Sequence, residues 1–178
     1  MKILFLGAPD SPVFLWLKQQ GEDVHSTLDK ITVDYVLENK FNFLISYGYR
    51  YVLKKEILDL FPNRAINLHI SYLPYNRGSD PNFWSFIDGT PKGVTIHYLD
   101  EGVDTGDIIV QKEVVFDSLE TETLASSYQK LHTKSSIQKF KICFFRTGNL
   151  LKAKDVVEDH KWAMAQCIRR KIRKLYCT

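Results

Sequence analysis

Two polar side chains stand two residues apart in an otherwise apolar run, AINLHI at 65–70: Asn67 and His69. In an extended chain, residues two apart point to one face, which would set an amide beside an imidazole. The amide can donate to an oxygen gathering negative charge, and the imidazole can take and return a proton. Further along, the loop DEGVDTGD at 100–107 crowds Asp100, Glu101, Asp104 and Asp107 around Gly102 and Gly106. One of these carboxylates beside the histidine would orient the ring, stabilise the imidazolium and raise its pKa. His97 and Thr95 share one face of another alternating run, GVTIHYL at 93–99. Other uses of the same residues stay open. A backbone carbonyl can satisfy a core histidine while an asparagine closes a loop. Acidic residues with glycine also make calcium loops, but the EF-hand alternation and its final glutamate are missing. Two histidines and several aspartates could form a metal site, yet no HxxxH or HExxH spacing is present, and no metal is expected.

The elements that must position these groups alternate between strand and helix. Residues 2–6 form a short apolar run ending at Gly7, and Ser11-Pro12 opens a helix with a hydroxyl cap and a proline at the first helical position. Val13, Phe14, Trp16 and Leu17 supply its apolar faces, and Gly21 ends it. A brief strand is expected at 23–26, then a helix with Val33, Val36 and Leu37 on one face. FNFLIS at 41–46 reads as a buried strand, 53–61 as a helix, and 65–70 as the next strand. Leu73-Pro74 opens a loop containing Arg77-Gly78. Asp80-Pro81 repeats the cap-then-proline signal, with Phe83, Trp84 and Ile87 leading to Gly89. Residues 93–99 and 108–116 are expected to be extended. From Leu124 onward, Tyr128, Leu131, Ile137, Phe140 and Phe144 fit a long amphipathic helix ending near Gly148. The alternation predicts an α/β fold with a mostly parallel sheet covered on both faces.

Composition narrows the class. The chain has 178 residues, 25% of them charged and 44% hydrophobic, which fits one folded domain and excludes wholesale disorder. No apolar run is long enough to span a bilayer, and MKILFLGAPD lacks the length of a signal h-region, so no membrane partner is expected. Three cysteines at uninformative spacing point to a reducing, cytoplasmic setting. The turn Gly7-Ala8-Pro9-Asp10-Ser11-Pro12 has one glycine and two prolines. It cannot bring backbone N–H groups onto a pyrophosphate, which excludes NAD or FAD binding there. No GxxxxGK[ST] is present, which excludes a P-loop NTPase. Residues 152–178 hold eight basic and three acidic side chains. We therefore expect a catalytic domain over 1–150 and a basic, helical extension over 151–178. Such an extension is either a solvated helix or a surface that touches nucleic acid.

In order and spacing, the following pieces resemble the folate-dependent formyltransferases: Asn67-Leu68-His69, Leu73-Pro74, Arg77-Gly78, Trp84, Gly93-Val94-Thr95-Ile96-His97 and Asp100-Glu101-Gly102-Val103-Asp104-Thr105-Gly106. That family includes glycinamide ribonucleotide transformylase, methionyl-tRNA formyltransferase and the sugar N-formyltransferases. The segment Ser46-Tyr47-Gly48-Tyr49-Arg50-Tyr51 is similar to the family's folate-side loop. The resemblance is clear over 41–123, weaker over the first strand and helix, and absent after Gly148. It implies a Rossmann-like three-layer sandwich, 10-formyltetrahydrofolate as formyl donor, and Asn67, His69 and Asp104 as the catalytic trio. In that role an amine attacks the formyl carbon, Asn67 and a protonated His69 stabilise the growing negative charge, and His69 shuttles the proton. A flat pterin suits a slot of backbone and apolar groups, formed here by Tyr49, Arg50, Tyr51, Val52 and Leu53 with Leu99, Asp100, Gly102, Val103 and Asp104. Arg77, Asp80, Asn82 and Trp84 would line the acceptor side. The 73–78 and 47–51 segments look most like the sugar enzymes, so the acceptor expected is a nucleotide-linked amino sugar, and a homodimer is compatible. The alternatives are an enzyme like methionyl-tRNA formyltransferase without its C-terminal domain, and a non-catalytic nucleic-acid-binding protein.

Overall fold

A computed structural model describes residues 1–116 and 123–135. Local capping sets where the helices begin. Ser11 accepts from the Phe14 N–H at 3.3 Å and starts α1 (Pro12–Gln19), and Gly21 follows with φ +80. Thr32 accepts from the Tyr35 N–H at 3.2 Å and starts α2 (Val33–Asn39). These helices connect β1 (Lys2–Leu6), β2 (Asp23–Thr27) and β3 (Phe43–Ser46). The short α3 (Lys55–Leu58) precedes β4 (Ala65–His69). After a long loop come α4 (Pro81–Ile87), β5 (Gly93–Tyr98) and β6 (Ile108–Glu113). Thr123 and Ser126 form a reciprocal capping box at the start of α5 (Leu124–Gln129), which runs into a π-helical segment, Lys130–Ser135.

The six strands form one sheet in the order β2-β1-β3-β4-β5-β6. β2, β1, β3 and β4 are parallel, as the strand–helix alternation predicts. β5 then runs antiparallel to β4, and β6 antiparallel to β5. One face carries Ile3, Phe5, Phe43, Ile45, Ile66 and Ile96 beneath α1, with Leu131 in the same cluster. The other carries Leu4, Leu6, Leu44 and Ala65 against Val36, Ile57 and Phe61. This is the Rossmann-like α/β sandwich expected.

Several local expectations are corrected. α3 is shorter than the 53–61 span, although Ile57 and Phe61 are buried as a shared apolar face requires. Leu37 is 54% exposed because the seven-residue α2 buries a single stripe through Val36. In α4 the apolar periodicity reads inverted, with Phe83, Trp84 and Ile87 exposed and the polar Asn82 and Ser85 buried. Hydrogen bonds decide this orientation. Asn82 Nδ2 donates to Ser127 Oγ at 2.9 Å, and Ser85 Oγ donates to the Asn82 carbonyl at 2.7 Å, so each buried polar group has a partner. Asp80 does not cap α4 with its side chain and instead sits at φ +52. Leu124 and Tyr128 are exposed while Ser127 and Leu131 are buried. The rest of the expected long helix to Gly148, the domain boundary at 150 and the basic 151–178 extension lie outside the described residues.

Candidate active site

Asp104 is the centre of a hydrogen-bonded hub built by β4, β5 and the two loops that follow them. Its backbone is left-handed, φ +51, at the tip of the 99–107 loop. That loop is shaped by Asp100, whose Oδ1 accepts from the Gly102 N–H at 3.1 Å and from Thr105 Oγ1 at 2.7 Å. A Cβ on Gly106 would collide with the Tyr98 carbonyl, so only glycine lets the loop return against the end of β5. Asp104 Oδ1 accepts from Asn67 Nδ2 at 2.9 Å and lies 3.2 Å from His97 Nε2. Its Oδ2 accepts from the Gly78 N–H at 2.9 Å and faces His69 Nδ1 at 3.5 Å. Asn67 and His69 share a face by strand periodicity. His97 joins them because the antiparallel register sets it directly across from Asn67.

The loop after β4 acts through its backbone. His69 Nε2–H donates to the Asn76 carbonyl at 2.9 Å. The loop is pinned to the sheet by Thr95, whose Oγ1 donates to the Ser71 carbonyl at 2.8 Å and accepts from the Leu73 N–H at 3.2 Å. Gln111 Nε2 donates to the Leu73 carbonyl at 2.7 Å, and the Leu73-Pro74 peptide is cis. Arg77 itself is exposed, and what reaches Asp104 is the N–H of the next residue.

Protonation in the hub follows from burial and partners. Burial opposes the charged form of Asp104. The His97 hydrogen bond, the neighbouring His69 and the Gly78 N–H outweigh it and lower its pKa to about 2. Asp104 is therefore a carboxylate at neutral pH. His69 goes the other way from the sequence expectation. Burial lowers its pKa below 6.5, against the raising effects of Asp104 and the Asn76 carbonyl, with His97 adding to the lowering. The ring is neutral near pH 7, with its proton on Nε2 and a lone pair at Nδ1 on the Asp104 side. His69 is thus poised to accept a proton, not to donate one. The Asn67 amide is also already engaged, with Asp104 and, at 3.3 Å, with His97 Nε2. His97 Nδ1–H donates to the Tyr98 carbonyl at 2.7 Å. A neutral His97 ring therefore takes the second Asn67 hydrogen at Nε2.

The hub opens into a cleft of about 590 Å³, within the usual range for small-molecule sites. Tyr49, Arg50, Tyr51, Val52 and Leu53 form one part of its wall, and Leu99, Asp100, Gly102 and Val103 another. Asp80 and Asn82 also line it, whereas Arg77 and Trp84 are not among its lining residues. For Asn82 the structure shows a fold-holding bond to Ser127. Sequence reasoning missed His97 as a member of the hub, although its shared face with Thr95 was a usable signal. It also missed Tyr128 and His132 as lining residues, whereas Tyr47, which lines the cleft beside them, belongs to the 46–51 segment likened to the folate-side loop. Among the described residues no cluster of three His, Cys, Asp or Glu side chains is arranged to hold a metal ion. No helix among them is long and apolar enough to cross a membrane.

Comparison with known proteins places this geometry. The family model described as formyl transferase matches residues 7–140, and the chain belongs to the formyltransferase family. The formyltransferase PseJ of Anoxybacillus kamchatkensis, solved in complex with UDP-4,6-dideoxy-4-formamido-L-AltNAc and tetrahydrofolate, superposes with a TM-score of 0.74 at 43% identity. That match covers 86% of this chain and 78% of the other. The phosphoribosylglycinamide formyltransferase of Streptococcus pneumoniae shares the fold, with a TM-score of 0.65 at 21% identity, over 83% of this chain and 99% of that one. By sequence, the methionyl-tRNA formyltransferase of Desulforamulus reducens is 40% identical over 95 residues, 53% of this chain. The matched stretch spans only 29% of that relative's length.

Proposed function

We propose that the protein transfers a formyl group from 10-formyltetrahydrofolate to a primary amine on a nucleotide-linked amino sugar. The observation that carries the transfer reaction is the Asn67–His69–His97–Asp104 hub opening directly into a cleft of ligand size. The cleft fits a reduced folate. Leu53, Leu99 and Val103 offer apolar contact to a flat ring, and the backbone of two loops lies alongside. When bound, the folate supplies the activated formyl group, and the protein's side chains handle charge and protons. The orientation of Asn67 is fixed by Asp104, and its amide stabilises the developing negative charge once its second hydrogen is released from His97 Nε2. Neutral His69 accepts the proton leaving the acceptor nitrogen at Nδ1. The resulting imidazolium is stabilised by the carboxylate of Asp104 facing that atom. The same proton can then be returned to the leaving amine. His97 Nε2 lies against both the Asn67 amide and Asp104 Oδ1, and His97 so acts as a positioning residue.

Support for the sugar-linked acceptor comes from the likeness to PseJ, whose complex contains a nucleotide-linked formamido sugar. The likeness to methionyl-tRNA formyltransferases supports a second reading, in which the acceptor is the amine of a charged tRNA. A panel of nucleotide-linked amino sugars incubated with 10-formyltetrahydrofolate, with tetrahydrofolate release as the readout, tests the first. Turnover with at least one of them is expected. Formylation of methionyl-tRNA with none of the sugars would overturn that acceptor while leaving the hub chemistry standing.

A further inference from the structure

On the cleft wall formed by α5 and the π-helical segment, three rings are locked together in a way the transfer chemistry does not use. Tyr47 follows β3 and is buried. Its hydroxyl donates to the His132 carbonyl at 3.1 Å and therefore accepts from His132 Nδ1–H at 2.8 Å. This closed pair of bonds fixes both the ring and the backbone of His132. Burial lowers the His132 pKa to about 4, so the ring is neutral at physiological pH. Tyr128, one helical turn earlier, stacks on that ring with centroids 3.7 Å apart and planes 27° apart. Tyr128 is nevertheless 55% exposed and lines the cleft together with His69, Asn82 and Phe83.

A large aromatic ring that is held rigidly on one face and left open on the other, inside a ligand cleft, is suited to stacking. Its orientation is set before any ligand arrives, so little side-chain freedom is lost on binding. Every nucleobase has a π-face, and such a contact discriminates weakly between bases while binding each of them. Tyr128 itself belongs to neither the 49–53 nor the 99–104 segment argued above to hold the folate. We propose that Tyr128, backed by His132 and Tyr47, is the stacking platform for the base of a nucleotide-linked acceptor. This rests on the nucleotide-linked reading of the acceptor, but the platform can be measured without any formyl transfer.

The experiment is calorimetric titration of the full-length protein with UDP, dTDP and GDP, and separately with tetrahydrofolate. Tyr128→Ala should weaken binding of the nucleoside diphosphates by about tenfold to a hundredfold, the range for loss of one base–aromatic stack. It should leave the tetrahydrofolate Kd within about twofold, and Tyr128→Phe should restore nucleotide binding because the π-face returns. His132→Ala should produce a smaller loss of nucleotide affinity, since it frees Tyr128 without removing it. Unchanged nucleotide binding in Tyr128→Ala, equal weakening of tetrahydrofolate, or no nucleotide binding by the parent protein would each overturn the platform. If nucleotides bind through Tyr128 but no nucleotide-linked amino sugar is formylated, the platform stands and the acceptor reading falls. If the sugars are formylated and Tyr128→Ala behaves like the parent, the platform falls and the acceptor reading stands.

Discussion

At the scale of single residues, the hub predicts distinct failures for distinct substitutions. Asn67→Ala and His69→Ala each remove a group that acts on charge or protons in the transition state. Each should lower kcat by about 10²–10³ or more while tetrahydrofolate binding, measured by calorimetry, changes little. Asp104 is best tested as Asn, because asparagine tolerates the left-handed backbone found there and isolates the loss of charge from strain. Asp104 raises the His69 pKa against the dominant burial effect. Histidine NMR titration should therefore place the His69 midpoint below 6.5 in the parent protein and lower still in Asp104→Asn. A parent midpoint above 7 would contradict the neutral-base assignment. Strand periodicity made Asn67 and His69 legible as a pair and the acidic glycine loop offered a carboxylate, while the choice of Asp104 among its four acids came from the resemblance to the formyltransferases. It did not reveal the direction of the His69 shift, which depends on how deeply tertiary packing buries the ring. His97 was visible only as a neighbour of Thr95, since its pairing with Asn67 is a cross-strand fact.

At the scale of elements, helix starts were readable and helix faces less so. Ser11 and Thr32 cap their helices through local hydrogen bonds that depend on a few adjacent residues. α4 defied its apolar pattern because its orientation is decided by Asn82 meeting Ser127, a residue far away in sequence. Two elements carry predictions of their own. Gly106→Ala should force the 99–107 loop away from the Tyr98 carbonyl and displace Asp104. We expect loss of formyl transfer comparable to that of Asp104→Asn, with stability lowered by about 1–3 kcal/mol in denaturant titration. The α5 wall should respond to acid through His132. Its folded pKa of about 4 lies below the unfolded value of 6.5, so the unfolded chain binds more protons between those limits. Stability is full above pH 6.5 and is lost as pH falls towards 4, by up to about 3 kcal/mol. Urea unfolding at pH 7 and pH 4.5 should show this loss, and it should be smaller in His132→Gln.

For the molecule as a whole, the parallel half of the sheet was legible from alternating strands and helices. The direction of β5 was not, because the same run of alternating residues fits either sense of pairing. The cleft joins the ends of β3 and β4, two long loops and α5, so a ligand there braces segments distant in the chain. Tetrahydrofolate at about 100 times its Kd should raise the thermal midpoint of the full chain by roughly 5–10 °C. A midpoint unmoved by tetrahydrofolate would argue against the folate reading of the cleft.

The antiparallel pairing of β4 with β5 also governs which rearrangements this family member can survive. Asn67 faces His97 and His69 faces Thr95 across the pair. Sliding β5 by a single residue would turn Thr95 and His97 to the opposite side of the sheet and bring Ile96 or Val94 into the hub. Sliding it by two would keep a polar side chain on the correct side, with Thr95 in place of His97. An odd step costs the site both polar groups of β5 at once, and an even step, though it keeps the side of the sheet, still carries the 99–107 loop and Asp104 out of place.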